Sequence, residues 1–341
     1  MRVRIGFIGT GGIAASHLQN LLLMPEAEVV ALCDLSLDQI EATRLAVNRH
    51  VAERRSESTG APGAASGPNQ NDHRVLDAVA YIDYRSMLRN EQLDAVYVCL
   101  PPFAHGDPEE AVIEAGLPML VEKPVALEVP VAARILDGIR RKRILVASGY
   151  QLRYTAYLER ARELLDGHTI GMAVVMRFGS TPRTNWYHIH RKSGGQMIEM
   201  ATHQVDLLRY LLGEVRTVYA AAATRINHKL QPDYDIFDVN CVTLTFENGA
   251  VGSLACNFIS GHGSPPDARG LHIFCDGMTL SLGSTLRAIF ADRTEEFPFD
   301  ADPLAAEDQA FVRAVAEGQP DLIRSDYESG LRTLAVTVAN D

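Results

Sequence analysis

The sequence predicts two α/β units in series: a doubly wound parallel sheet, then an open, mostly antiparallel sheet with helices on one face. Two observations predict the first unit. Short β-rich runs alternate with helical patterns as far as Tyr150, and the runs are almost continuously apolar, as in strands covered on both faces. A third observation marks the change. Beyond Tyr150 the runs alternate apolar with polar residues, and Asn248-Gly249 and Asp276-Gly277 join pairs of them as hairpin turns. A chain of 341 residues is long for one core, so the units are expected at 1–150 and 151–341.

Composition narrows the partners. A net charge of -11, with 47% hydrophobic and 22% charged residues, describes a globular protein without the basic face that nucleic acid or an anionic membrane would require. No run approaches the ~18 apolar residues of a membrane span. The opening "MRVRIGFIGTGG" does not read as a signal peptide. Cys33, Cys99, Cys241, Cys256 and Cys275 are scattered, and four lie in apolar, strand-like runs, so buried reduced thiols and a cytoplasmic location are expected.

Taken in order, "VRIGFIG" is the first strand, and a helix follows it to Pro25. "AEVVALCD" is the second strand, then a long polar helix. "AVAYID", "LDAVYVCLP", "LPMLVEKP" and "ILVASGY" continue the sheet. Residues 56–71, "SESTGAPGAASGPNQN", contain nothing apolar larger than alanine and are expected to form a flexible surface loop.

The first turn carries the chemical signal. In "GTGGIA", Gly9, Gly11 and Ala14 have the spacing of a dinucleotide fingerprint. Gly9 permits the tight turn, Gly11 and Gly12 open the backbone to a pyrophosphate, and Thr10 and Ile13 flank it at the helix start. Asp34 ends the second strand, where a carboxylate bonds a ribose 2′-hydroxyl or simply caps the next helix. It would repel a 2′-phosphate and no arginine follows it, so NAD is preferred over NADP. Ligands of such sheets sit beyond the strand C-termini. The fourth strand brings Leu100, Pro101 and His105 there, and the fifth brings Glu122 and Lys123 ahead of Pro124. Lys123 is either an acid/base group beside the nicotinamide or a solvated strand end.

In the second unit, "GGQMIEMATHQVDLLRYLLGE" reads as one helix from Gly194 to Glu214. Glu199, His203, Asp206 and Tyr210 share one face of it, and Met197, Ala201, Val205, Leu208 and Leu212 the other. The polar stripe could bind metal, move protons or face solvent. No metal is expected, because no outside histidine has ligand spacing to it.

Together, "GTGGIA", Asp34, "LPPFAH", "VEKP", "YQLRYTAYLERARELLDGHTIG", the Gly194–Glu214 segment and "EDQAFVRAVAEG" resemble the glucose–fructose oxidoreductase / inositol dehydrogenase / rhizopine catabolism (Gfo/Idh/MocA) family over nearly the whole chain. The resemblance implies an NAD-binding Rossmann domain and a substrate-binding and oligomerisation domain. It also implies hydride transfer at a secondary alcohol of a sugar or polyol, with Lys123 and His203 acting at the carbinol. Glu199 stands where the family commonly has aspartate, and is expected to orient His203. Arg153 resembles a family position near the substrate or nicotinamide. Trp186, with Tyr187, Arg183 and His190, would offer a stacking surface suited to such a substrate. An exposed sheet face implies a homodimer or homotetramer. Some relatives are lyases or glycosidases that use NAD transiently, and others are non-catalytic regulators. The substrate itself is not legible.

Overall fold

The computed structural model describes residues 2–59, 75–263, 270–299 and 302–339. Most of the expected loop at 56–71 therefore lies outside the described residues, and Ser56–Thr59 belong to a helix. The first sheet contains β1 (Val3–Ile8), β2 (Ala27–Cys33), β3 (Val79–Tyr81), β4 (Ala95–Val98), β5 (Met119–Val121) and β6 (Val146–Ser148). Its order is β3-β2-β1-β4-β5-β6, with every pairing parallel. The order reverses between β1 and β4, so their C-terminal ends diverge and leave the crevice where ligands of doubly wound sheets bind. The connecting helices are α1 (Gly12–Leu21), α2 (Leu37–Thr59), α3 (Tyr84–Asn90), α4 (Asp107–Ala115) and α5 (Val129–Lys142).

The second unit begins with α6 (Ala156–Leu165), β7 (Ile170–Phe178), α7 (His190–Ser193), α8 (Gly195–Glu199) and α9 (Thr202–Leu212). Strands β8 (Val215–Ala223), β9 (Val239–Phe246), β10 (Val251–Asn257), β11 (Gly270–Cys275), β12 (Met278–Leu282), β13 (Thr285–Ile289) and β14 (Thr294–Pro298) follow. The eight-stranded order is β14-β13-β12-β11-β7-β10-β9-β8, antiparallel except between β7 and β10. Val175, Val242, Leu244, Leu254, Ile273 and Leu280 turn one face into the core beneath α6 and α9. The opposite face leaves Met172, Tyr219, Val251, Phe274 and Ile289 exposed. Both Gly249 (φ 91°) and Gly277 (φ 76°) adopt the conformation their hairpin turns require.

Three expectations are corrected. The C-terminal helices α10 (Pro303–Glu317) and α11 (Tyr327–Val338) fall in the second half of the sequence but pack into the first unit. Phe311 and Val312 join the core around Phe7 and Tyr97, and Tyr327 and Leu334 join the core on the other sheet face. Cys33, Cys99 and Cys256 are buried, but Cys241 is exposed and Cys275 half-buried because their strands alternate. Finally, Gly194–Glu214 is not one helix. It breaks at Met200 and Ala201, whose N–H groups both bond the Gln196 carbonyl. Among the described residues no helix is long and apolar enough to cross a membrane.

Candidate active site

A cleft of about 390 Å³ lies at the strand-order reversal, lined by Gly11–Ile13, Cys99–Pro102, Glu122, Lys123, Thr184, Trp186 and Glu199. Its floor depends on Gly9, which has φ 92° and would place a Cβ 2.2 Å from the Cys99 carbonyl oxygen. Only glycine fits there. At Gly11 and Gly12 a Cβ would meet nothing within 4 Å, so the backbone at the start of α1 faces open space. A helix N-terminus so exposed suits a pyrophosphate. The turn is tied to β2 by Asp34, whose Oδ2 accepts from the Thr10 N–H and hydroxyl, both at 2.9 Å. Its Oδ1 accepts only a 3.3 Å bond from the Ser36 N–H. These residues fit a dinucleotide, with Gly11, Gly12 and Ile13 toward the phosphates and Leu100 and Pro101 along the crevice.

Two residues assigned to the cofactor face elsewhere. His105 is buried, with Nδ1 2.5 Å from Glu109 Oε1 and Nε2 3.2 Å from the Leu100 carbonyl. Both nitrogens serve the loop after β4. Glu122 touches the cleft, but its carboxylate points inward. Its Oε1 lies 3.1 Å from His17 Nε2, and Oε2 accepts the Lys123 N–H at 2.9 Å. His17 Nδ1 is 2.6 Å from Asp308, which also accepts from Asn20 (2.9 Å) and Tyr97 (3.2 Å). Burial alone would lower the His17 pKa, but Asp308 and Glu122 together hold it well above the usual histidine value. Glu307, fully buried with both oxygens unpartnered among the described residues, is pushed up by burial and by Glu122. The cluster is a histidine between two carboxylates that favour its charged form, beside a glutamate whose burial favours its protonated form. His17, Glu122 and Glu307 could gather around a cation, their ligand atoms lying within 4.8 Å of one another, but both His17 nitrogens are already committed.

Lys123, whose bond to Pro124 is cis, extends from this base into the cleft. Its Nζ donates to the Glu199 carbonyl (3.0 Å) and to Glu199 Oε1 (2.8 Å). The break after α8 makes this possible. In an unbroken helix the Glu199 carbonyl would bond the His203 N–H; here it is free for the lysine. Glu199 therefore holds Lys123 and does not orient His203. Burial raises the Glu199 pKa, and Lys123 draws it back down. Tyr187 lies beside this carboxylate.

His203 is half-buried at the start of α9, edge-on to the Tyr150 ring at 6.0 Å. Its Nδ1 has no partner among the described residues, and the Tyr150 hydroxyl bonds Thr202 instead (2.8 Å). Burial first, then the charges of Lys123 and Arg177, lower its pKa to about 3, so the ring is neutral at physiological pH. Trp186 stacks on Tyr187 (5.0 Å) and meets Phe103 of the first unit edge-on (6.5 Å), roofing the cleft.

Arg153 does not face the cleft. It is buried, bonds Asp206 through Nε (2.8 Å) and Nη2 (2.5 Å), and reaches the Arg324 carbonyl and Ser329 hydroxyl (each 3.0 Å). Asp206 also accepts from Thr333, and Tyr210 packs its ring against Arg153 at 4.8 Å. This part of the polar stripe is a brace to α11. The sequence reading missed His17, Thr184, Arg177, Gln151 and Gln204. An isolated histidine or arginine inside an apolar pattern carries no local signal, and only the tertiary assembly collects them.

A family model described as an oxidoreductase family with an NAD-binding Rossmann fold matches residues 3–150, and the GFO/IDH/MocA C-terminal domain model matches 158–281. Inositol 2-dehydrogenase 3 of Saccharopolyspora erythraea is 30% identical over 339 residues, covering 93% of this chain and 86% of the relative. Oxidoreductase YrbE of Bacillus subtilis is 26% identical over 248 residues, covering 72% of this chain and 64% of the relative. Among solved structures, the WlbA dehydrogenase of Bordetella pertussis with NADH and UDP-GlcNAcA has a TM-score of 0.77 at 21% identity, covering 99% of this chain and 95% of that one. Biliverdin reductase of Synechocystis with biliverdin and NADP+ has 0.74 at 19%, covering 98% and 96%. These two share the fold. The chain belongs to the GFO/IDH/MocA family of NAD(P)-dependent oxidoreductases.

Proposed function

We propose that the protein moves a hydride reversibly between nicotinamide and a secondary alcohol of a sugar or polyol, with NAD preferred over NADP. The observation that carries this reading is Lys123 Nζ, fixed by the backbone carbonyl and one carboxylate oxygen of Glu199 at the rim of a cleft whose other wall is the open N-terminus of α1. When bound, the nicotinamide supplies the hydride acceptor. Lys123 donates a hydrogen bond to the reacting oxygen and favours its alkoxide character. His203, held neutral, takes the alcohol proton or returns it. Glu199 holds the ammonium in place, and Trp186 excludes water from above.

The preference for NAD rests on Asp34, which places a carboxylate at the end of β2 with exposed Leu35 next to it. A higher kcat/KM with NADP would refute it. The apolar residues of the open sheet face favour a homodimer or homotetramer, and the free, exposed thiol of Cys241 suits the reducing cytoplasm. The decisive experiment is a panel of sugars, inositols and sugar acids followed by NADH absorbance. Lys123→Met should lower kcat about 10²–10⁴-fold while NAD still binds. Near-normal turnover would overturn the assignment, as would product formation with no net change in NAD.

A further inference from the structure

A second cavity, of about 490 Å³, lies between β7, β11 and β12 on one side and α6 and α9 on the other, with His203 in its wall. That volume is typical of a small-molecule site. Its polar lining is unusual in two ways. Gln151, Gln204 and His203 bring polar side chains to its wall, while Gln151 Oε1, Gln204 Oε1 and His203 Nδ1 are themselves buried without a hydrogen-bond partner among the described residues. Arg177, on the helix-facing side of β7, is partly buried and makes only a 3.7 Å bond to Met200 Sδ, with no carboxylate partner among the described residues. Among the described residues no aspartate or glutamate lines the cavity, although the protein carries a net charge of -11.

A partly buried guanidinium facing a cavity without an anionic partner is suited to a carboxylate or phosphate held bidentately. The strongly buried arginines among the described residues each have one: Arg153 pairs with Asp206 and Arg209 with Glu214. We propose that Arg177 is a specificity residue that binds an anionic substituent of the substrate, a carboxylate or a phosphate, within this cavity while the reacting alcohol lies at Lys123 and His203. The substrate class is then a sugar acid or a phosphorylated sugar rather than a neutral polyol. This inference rests on the dehydrogenase reading above. It also has a catalytic consequence. Arg177 is one of the two charges that disfavour protonated His203, so an anion beside it leaves His203 a stronger base when substrate is bound than in the free enzyme.

The test uses NAD-saturated full-length enzyme, its Arg177→Met and Arg177→Lys variants, and matched compounds: D-glucose, D-glucuronate and glucose 6-phosphate, with the corresponding galactose set. Turnover is followed as NADH, and binding by calorimetry. At least one anionic member should exceed its neutral counterpart tenfold or more in kcat/KM or in affinity. Arg177→Met should weaken that member ten- to a hundredfold, chiefly in KM, and Arg177→Lys should recover part of the loss. Comparing the uronate with the phosphate identifies the anion. Equal or better use of the neutral sugars, or equal losses for all members in Arg177→Met, overturns the anion site while leaving the dehydrogenase reading in place. Arg177-dependent binding without NAD reduction would do the reverse. Absence of Arg177-dependent binding by any anionic member also overturns the inference.

Discussion

Replacing Arg153 with leucine separates a brace from a substrate ligand. The Arg153 side chain is 6% exposed, and its guanidinium makes two bonds to Asp206, one to the Arg324 carbonyl and one to the Ser329 hydroxyl. After Arg153→Leu, Asp206 keeps the Thr333 hydroxyl at 3.0 Å as its partner and is left a buried charge without a counter-ion. Breaking a buried pair in this way costs about 3–5 kcal/mol. Loss of an exposed pair would cost below about 1 kcal/mol and would be screened by salt; this one would not be. Urea unfolding followed by the fluorescence of Trp186, the one tryptophan, should show the loss, with little change in KM at temperatures where the variant is folded. The double variant Arg153→Met/Asp206→Leu should recover most of the stability, since an apolar pair of similar volume is tolerated where an orphan charge is not. A stability change below about 1 kcal/mol, with KM raised tenfold or more, would refute the brace and return Arg153 to the substrate.

Gly9→Ala should raise the Kd for NAD at least tenfold in a fluorescence titration, because its Cβ would meet the Cys99 carbonyl at 2.2 Å and displace the turn. The buried His17 cluster predicts falling stability on the alkaline side. The His17 pKa is raised in the folded state, where Asp308 and Glu122 outweigh burial, so its contribution is complete below the unfolded value of 6.5 and is lost as pH rises through the folded value. Glu307, also raised, acts in the same direction from above 4.5. Urea midpoints should therefore decline from pH 6.5 upward, less steeply in His17→Gln; a flat profile for the parent would contradict the protonated cluster. Tyr219→Glu combined with Phe274→Glu, on the open sheet face, should reduce the mass measured by light scattering to that of one chain, 37.3 kDa. A parent already at that mass would dispose of the proposed oligomer.

How much was legible in advance follows from how local each cause is. The turn through Gly9 and Gly11, Asp34 at the end of β2 and the apolar strand runs are each marked by a pattern within a few residues, and they fold as read. The Gly194–Glu214 segment satisfies helical periodicity throughout, yet it breaks after Glu199, where Lys123, 76 residues away in sequence, takes the carbonyl. Periodicity contains no information about that competitor. His105 illustrates a different limit, because its competitors are local and residue spacing does not tell a loop contact from a ligand contact. Its position at a strand end suggested the cofactor, but Glu109, four residues on, and the Leu100 carbonyl occupy both its nitrogens.

The placement of Lys123 shows what these non-local contacts accomplish together. Its backbone N–H is held by Glu122, Glu122 by His17, and His17 by Asp308 on α10 near the C-terminus. Its side chain is held by Glu199 at the break between α8 and α9. A lysine on a flexible four-carbon stem loses considerable entropy when fixed, about 2 kcal/mol of rotamer freedom, so one contact would not keep it oriented. Two contacts from the same glutamate on the side chain and a buried ionic chain beneath the backbone do so from opposite directions. This explains why α10 packs into the first unit although it follows the second in sequence: it supplies Asp308, the far end of that chain, from a helix that also buries Phe311 and Val312 against the sheet. Packing and site geometry are therefore one constraint here. A change that loosens α10 should move the lysine even though the two are separated by most of the chain.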